Sequence, residues 1–100
     1  MKERFNAENP LALNFDVKMT KAELDAFYFI ANLEYEDYTE DEVQKLFSNP
    51  ELLAGDIDCM IDNFDEDDDK DFKNAVIAVW CVLSKQFGEY KVIHEYKAAW

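Results

Sequence analysis

Six carboxylates crowd into seven residues at Asp65, Glu66, Asp67, Asp68, Asp69 and Asp71, with Lys70 the one base among them. Oxygen ligands at that density invite a calcium reading. An EF-hand loop needs oxygen donors at its first, third and fifth positions, glycine at the sixth and a bidentate glutamate at the twelfth. Counted from Asp65, the early positions fall on Asp67 and Asp69, but Lys70 takes the place of the glycine and Val76 that of the glutamate. No other register between Asp62 and Lys73 improves the match. A specific metal site is not expected.

Other reactive side chains are sparse. His94 is the sole histidine and stands in an alternating segment with Tyr90, Val92 and Tyr96. Ser48 and Ser84 are the only serines, and neither sits in a nucleophile elbow. Cys59 beside Met60, and Cys81 between Trp80 and Val82, read as small buried residues with no Cys/His spacing for zinc. Two glycines leave no phosphate-cradling loop. Catalytic carboxylate pairs need a pocket that separates their pKa values, which a solvated acidic run does not provide. Neither an enzyme nor a cofactor is expected.

The chemistry on offer is therefore charge. The 100 residues carry ten bases against twenty-three acids, a net charge of −13 and a pI near 4.2. From Glu34 to Asp71 stand sixteen acids and two lysines, Lys45 and Lys70, a net of −14; the remainder holds seven acids and eight bases, a net of +1. The whole excess lies in one central segment. With 49% hydrophobic and 15% aromatic residues, the acidity does not signal disorder. Such a surface repels nucleic acid and anionic lipid, so neither is an expected partner. No apolar run reaches the length of a membrane span, and Met1 to Phe5 lack a signal peptide's apolar stretch. Two cysteines suit a reducing compartment, so a cytoplasmic location is expected. The length suits one domain spanning residues 1–100.

The elements that must position these charges follow from periodicity. Leu11, Leu13, Phe15, Val17 and Met19 alternate with polar residues, predicting a half-buried strand over about 11–19. Thr20 with Glu23 forms a capping box for a helix to about Leu33, whose face of Leu24, Phe27, Ile30 and Ala31, broadened by Tyr28 and Phe29, predicts the most buried helix. Thr39 with Glu42 opens a second, from Glu40 to about Ser48, with Val43, Leu46 and Phe47 inward. Asn49 and Pro50 start a third, to about Phe64, with Leu53, Ile57, Met60, Ile61 and Phe64 as its stripe. A fourth runs from about Lys70 to Phe87, and Gly88 stops it. Residues 90–96 alternate and predict a second strand pairing with the first; a closing helix is the rival for that tail. The expected fold is α+β, about four helices on a small sheet of 11–19 and 90–96.

On this frame the acids form a surface. Acids before and within the first turn of the fourth helix suit its positive end, but one or two would collect most of that benefit. Six exceed it. With the third helix's stripe inward, Glu51, Asp58, Asp62 and Asp65 fall on its outer side, and residues four apart are separated by about 6 Å of rise. Glu34, Glu36 and Asp37 precede the second helix, which adds Glu40 and Asp41. Proteins recognise nucleic acid partly as regularly spaced negative charge. Carboxylates held at comparable intervals could occupy the same groove, whereas most charge runs are solubilising faces. Tyr35 and Tyr38, set among these acids, read either as exposed binding anchors or as rings folded back onto the core. Trp100 is an anchor or a lid on the first helix.

In charge and size the chain resembles the small, acidic, aromatic-rich proteins that phages and mobile elements direct against host defence, the DNA mimics among them. The resemblance implies an anti-restriction or anti-CRISPR inhibitor, acting in a host cytoplasm on a basic nucleic-acid-binding protein or nucleoprotein complex. Bacterial immunity proteins against nuclease toxins are similar in size, helicity and acidity, but their helix with adjacent tyrosines before a proline has no counterpart here. The alternative expectation is an acidic immunity, antitoxin or regulatory domain that binds through aromatic and apolar surface.

Overall fold

Thr20 and Thr39 each open a helix by the same reciprocal device. Thr20 Oγ1 accepts the Glu23 N–H at 3.1 Å while Glu23 Oε1 accepts the Thr20 N–H at 2.8 Å, and Thr39 with Glu42 repeats both bonds at the same lengths. The helices so started are α1 (Lys21–Leu33) and α2 (Glu40–Phe47). Asn49 Oδ1 accepts the Glu51 and Leu52 N–H groups, and Pro50 fills the first position of α3 (Pro50–Asp62). A loop then leads to α4 (Lys70–Phe87). The computed structural model of the chain describes residues 4–87. The expected strand at 90–96, with Gly88, His94 and Trp100, lies outside them.

The fold is all-α, which corrects the expected α+β architecture. Among the described residues no sheet forms, and the β-type pairing is an isolated bridge between Asn6 and Asn9. The alternation over 11–19 is real in burial: the odd residues turn inward and the even ones outward. It makes an extended strap across the helices instead of a paired strand. Its backbone groups are met by side chains, as buried or half-buried peptide groups must be. The Gln44 amide pairs with the strap twice, Nε2 donating to the Pro10 carbonyl at 2.9 Å and Oε1 accepting the Ala12 N–H at 2.7 Å. Tyr28 Oη accepts the Leu11 N–H at 3.0 Å, and Gln86 Oε1 that of Asp16 at 3.0 Å. Asn32 holds Phe5 in the same two-bond manner, at 2.9 and 3.0 Å. These amides stand in for a neighbouring strand, so period two alone cannot distinguish strap from sheet. Gln44→Leu should therefore destabilise the protein by about 1–3 kcal/mol, two hydrogen bonds' worth, in urea unfolding. A loss confined to a few tenths would remove this account of the strap.

Helix α4 packs against α1 and α3, and α2 against α3. Lys85 near the end of α4 meets Glu23 at the start of α1 at 3.6 Å, so α1 and α4 run antiparallel. Phe27, Ile30, Val43, Phe47, Leu53, Ile57, Val76 and Val79 lie at the centre, fully buried. Through them an edge-to-face series of rings links the elements. Phe15 of the strap meets Phe27 at 5.2 Å, Phe27 meets Phe47 at 6.3 Å, Phe47 meets Tyr35 at 5.5 Å, and Tyr35 meets Tyr38 at 5.1 Å. Helix α1 is less enclosed than its sequence suggests: Leu24 and Phe29 are exposed, because α4 and the strap leave its outer flanks open. Helix α3 ends at Asp62, where Asn63 caps it, and Phe64 instead turns against Phe72, ring centroids 6.1 Å apart. Among the described residues no helix is long and apolar enough to cross a membrane.

Candidate functional site

The acidic run between α3 and α4 is a turn bonded to itself. Asp65 Oδ1 accepts the Asp67 N–H at 3.1 Å, Asp68 Oδ2 accepts the Asp65 N–H at 2.8 Å, and the Asp65 carbonyl accepts the Asp68 N–H at 3.0 Å. Short polar side chains favour such turns because their oxygens replace backbone acceptors. Asp69 precedes α4, and its carbonyl accepts the Lys73 N–H. Asp65 and Asp68 thus shape the loop, while Glu66, Asp67, Asp69 and Asp71 stand exposed beside it. Of the six acids, four exceed what the turn itself uses. Among the described residues no three side chains converge to hold a metal ion.

The other acids divide by element. On α3, Glu51 and Asp62 are exposed and Asp58 half-buried. All three fall on one flank, with about 10 Å of rise from Glu51 to Asp58 and about 6 Å from Asp58 to Asp62. Asp56 lies on the opposite flank, facing Tyr35. In the connection from α1 to α2, Glu34, Glu36 and Asp37 are exposed. Glu40 and Asp41 occupy the first turn of α2 with Glu42, where the positive helix end favours them. Glu40 Oε1 also accepts from Asn9 Nδ2 at 3.1 Å. The Thr39 backbone N–H, and then its hydroxyl, hold the Glu42 carboxyl below its usual range, so that cap strengthens above the ordinary carboxylate pKa and is lost in acid.

The two tyrosines have different places. Tyr35 is 3% exposed and donates its hydroxyl to Asp56 Oδ2 at 3.1 Å; Tyr38 is 44% exposed. Tyr35 therefore ties the acidic connection to the core, and Tyr38 alone of the pair offers its ring to solvent. Arg4 secures the same connection from the N-terminal side, its guanidinium donating to the carbonyls of Tyr38 and Tyr35. Nothing in local periodicity marks Arg4 or Asp56 for these roles, since both contacts bridge distant parts of the chain.

One convergence was invisible in sequence. Glu34 and Asp68, from opposite ends of the acidic segment, line a single open depression of about 340 Å³ with Cys59, Met60, Asn63 and Phe72. Cys59, expected in the core, is exposed at this site, because α3 presents that face away from Leu53, Ile57 and Ile61. Comparison with protein families, curated proteins and solved structures finds no match to the chain.

Proposed function

We propose that this protein is a stoichiometric inhibitor that occupies the nucleic-acid-binding surface of a basic protein or nucleoprotein complex, presenting carboxylates where that partner expects phosphates. The observation that carries the reading is the net −14 between Glu34 and Asp71, an excess beyond capping and turn formation. Its exposed members stand on α2 and α3, in the connection before α2 that Tyr35 and Arg4 tie down, and in and beside the self-bonded turn, so the scaffold that carries the charges is fixed. It acts by occupancy, not catalysis, in the cytoplasm, that of a host cell if the protein is viral. An anti-restriction or anti-CRISPR role is one form such inhibition takes.

The test uses the acids whose side chains take no part in the bonds of the turn. Glu66→Gln, Asp67→Asn, Asp69→Asn and Asp71→Asn together leave Asp65 and Asp68 to form the turn. Against a partner captured from lysate at low salt, this variant should associate at least tenfold more slowly than the parent, with a flatter salt dependence, since steering by charge governs on-rate. Equal rates and equal salt slopes for the two proteins would remove the proposal.

A second reading rests on exposed apolar surface, with Leu52 at 58% and Tyr38 at 44%. A regulatory or immunity-type domain binding through these side chains would form a salt-insensitive complex that Leu52→Asp abolishes.

A further inference from the structure

The depression shared by Glu34 and Asp68 lies where two helices end. Glu34 is the C-terminal cap of α1 and Asn63 that of α3, and both line it. A helix C-terminus carries about half a negative charge on carbonyls that lack partners within the helix. Helices usually answer it with a base in the last turn, as Lys45 does in α2 and Lys85 in α4. Helices α1 and α3 have none there; α1 is capped by Glu34 and α3 closes on Asp62. The capping residues of both helix ends and two carboxylates therefore share one recess whose lining includes no base, and the last α3 carbonyls, at Cys59, Met60 and Ile61, already accept N–H groups of Asn63 and Phe64. Helix α4 begins nearby with its positive end, but Asp67, Asp68, Asp69 and Asp71 cluster around it. Met60 and Phe72, both half-buried, give the recess an apolar lining. Its volume of about 340 Å³ suits a side chain rather than one or two waters at about 30 Å³ each.

Building on the basic-partner reading, we infer that this depression seats an arginine side chain of the partner. The methylene stem lies along Met60, the guanidinium reaches the Glu34 and Asp68 carboxylates, and its flat face meets the Phe72 ring. Arginine fits better than lysine because a planar fork of donors matches two carboxylates and stacks on an aromatic face, whereas an ammonium is a compact, strongly hydrated point charge. Asp68 Oδ2 already accepts the Asp65 N–H, which leaves Oδ1 for the guanidinium. Asn63 Nδ2 is likewise held by the Cys59 carbonyl at 2.8 Å, turning its Oδ1 into a further acceptor at the rim.

The probe is n-propylguanidinium, titrated into the full-length protein and followed by amide and methyl NMR shifts, with n-butylammonium at equal ionic strength as comparison. The inference expects saturable shifts concentrated at Met60, Asn63 and Phe72, weaker binding of the ammonium, and at least tenfold weaker guanidinium binding in Glu34→Gln/Asp68→Asn. Asp68→Asn keeps an oxygen for the Asp65 N–H, and Glu34→Gln alone, at an exposed position, gives a second variant that leaves the turn untouched. Shifts spread along the whole acidic segment without saturation, or equal binding by parent and both variants, would overturn it. That failure is separable from failure of the basic-partner reading: the neutralised loop variant, which leaves the depression intact, would still lose association with the captured partner.

Discussion

Phe27→Ala should cost about 3–5 kcal/mol, the range for removing a large aromatic side chain from a core. Phe27 is fully buried and is the ring through which the strap, α1 and α2 meet, touching Phe15 at 5.2 Å and Phe47 at 6.3 Å. Truncation removes both edge-to-face contacts, each worth roughly 0.5–1.5 kcal/mol beyond area burial, and leaves a cavity between elements held apart by other contacts. A domain of this size has about 5–15 kcal/mol in total. At about 4–8 °C per kcal/mol, the midpoint should fall by well over 10 °C. The self-repulsion of the acidic segment already narrows the margin in the parent, and the variant carries the same charge. Urea unfolding of Phe27→Ala beside Phe27→Leu checks this, with the leucine variant losing much less. A loss below about 1 kcal/mol for the alanine would contradict the ring series as the core's centre.

The second large effect separates the paired tyrosines. Tyr35→Ala should lose about 3–5 kcal/mol, as for a buried aromatic, while Tyr38→Ala stays within about 0.5 kcal/mol, as surface changes do. Tyr35→Phe isolates the hydroxyl and should cost about 0.5–1.5 kcal/mol through the bond to Asp56. Burial first, and then the charge of Asp56 with its hydrogen bond, push the Tyr35 phenol well above its ordinary value. The folded state thus keeps a proton that the unfolded chain releases near pH 10. The stabilisation is complete below that pH and declines as pH rises above it toward the folded value. Urea midpoints from pH 8 to 11 should fall more steeply for the parent than for Tyr35→Phe. Parallel pH profiles would show that this hydroxyl is not enclosed.

The contrast shows what was legible in the sequence. Helix starts were, because a capping box is a local device: Thr20 with Glu23 and Thr39 with Glu42 carry their partners three residues away. The two-sided character of 11–19 was also legible, because alternation records which side chains are buried. It does not record what satisfies the backbone. Gln44 and Gln86 supply that from 32 and 70 residues away, and neither position differs in sequence from an ordinary helix-surface glutamine. Tyr35 and Tyr38 are equally ambiguous on paper, and the separation comes from Asp56 and Phe47, brought in by α3 and α2.

The candidate surface follows the same division. The density of carboxylates is a property of the sequence, and so is their surplus over capping. Which of them the fold occupies is not: Asp65 and Asp68 emerge as turn-formers only from the geometry of their own loop. Glu34 and Asp68 share a recess because α1 and α3 both end beside the start of α4, a consequence of helix packing that no spacing rule encodes.

The most direct test of the central claim is competition. Labelled duplex DNA is bound to the captured partner, and the protein is titrated in at constant ionic strength. Mimicry predicts that the two ligands exclude one another, with DNA released in proportion to protein bound, and that the variant neutralised at Glu66, Asp67, Asp69 and Asp71 displaces it far less well. A stable ternary complex of partner, DNA and protein would contradict the account.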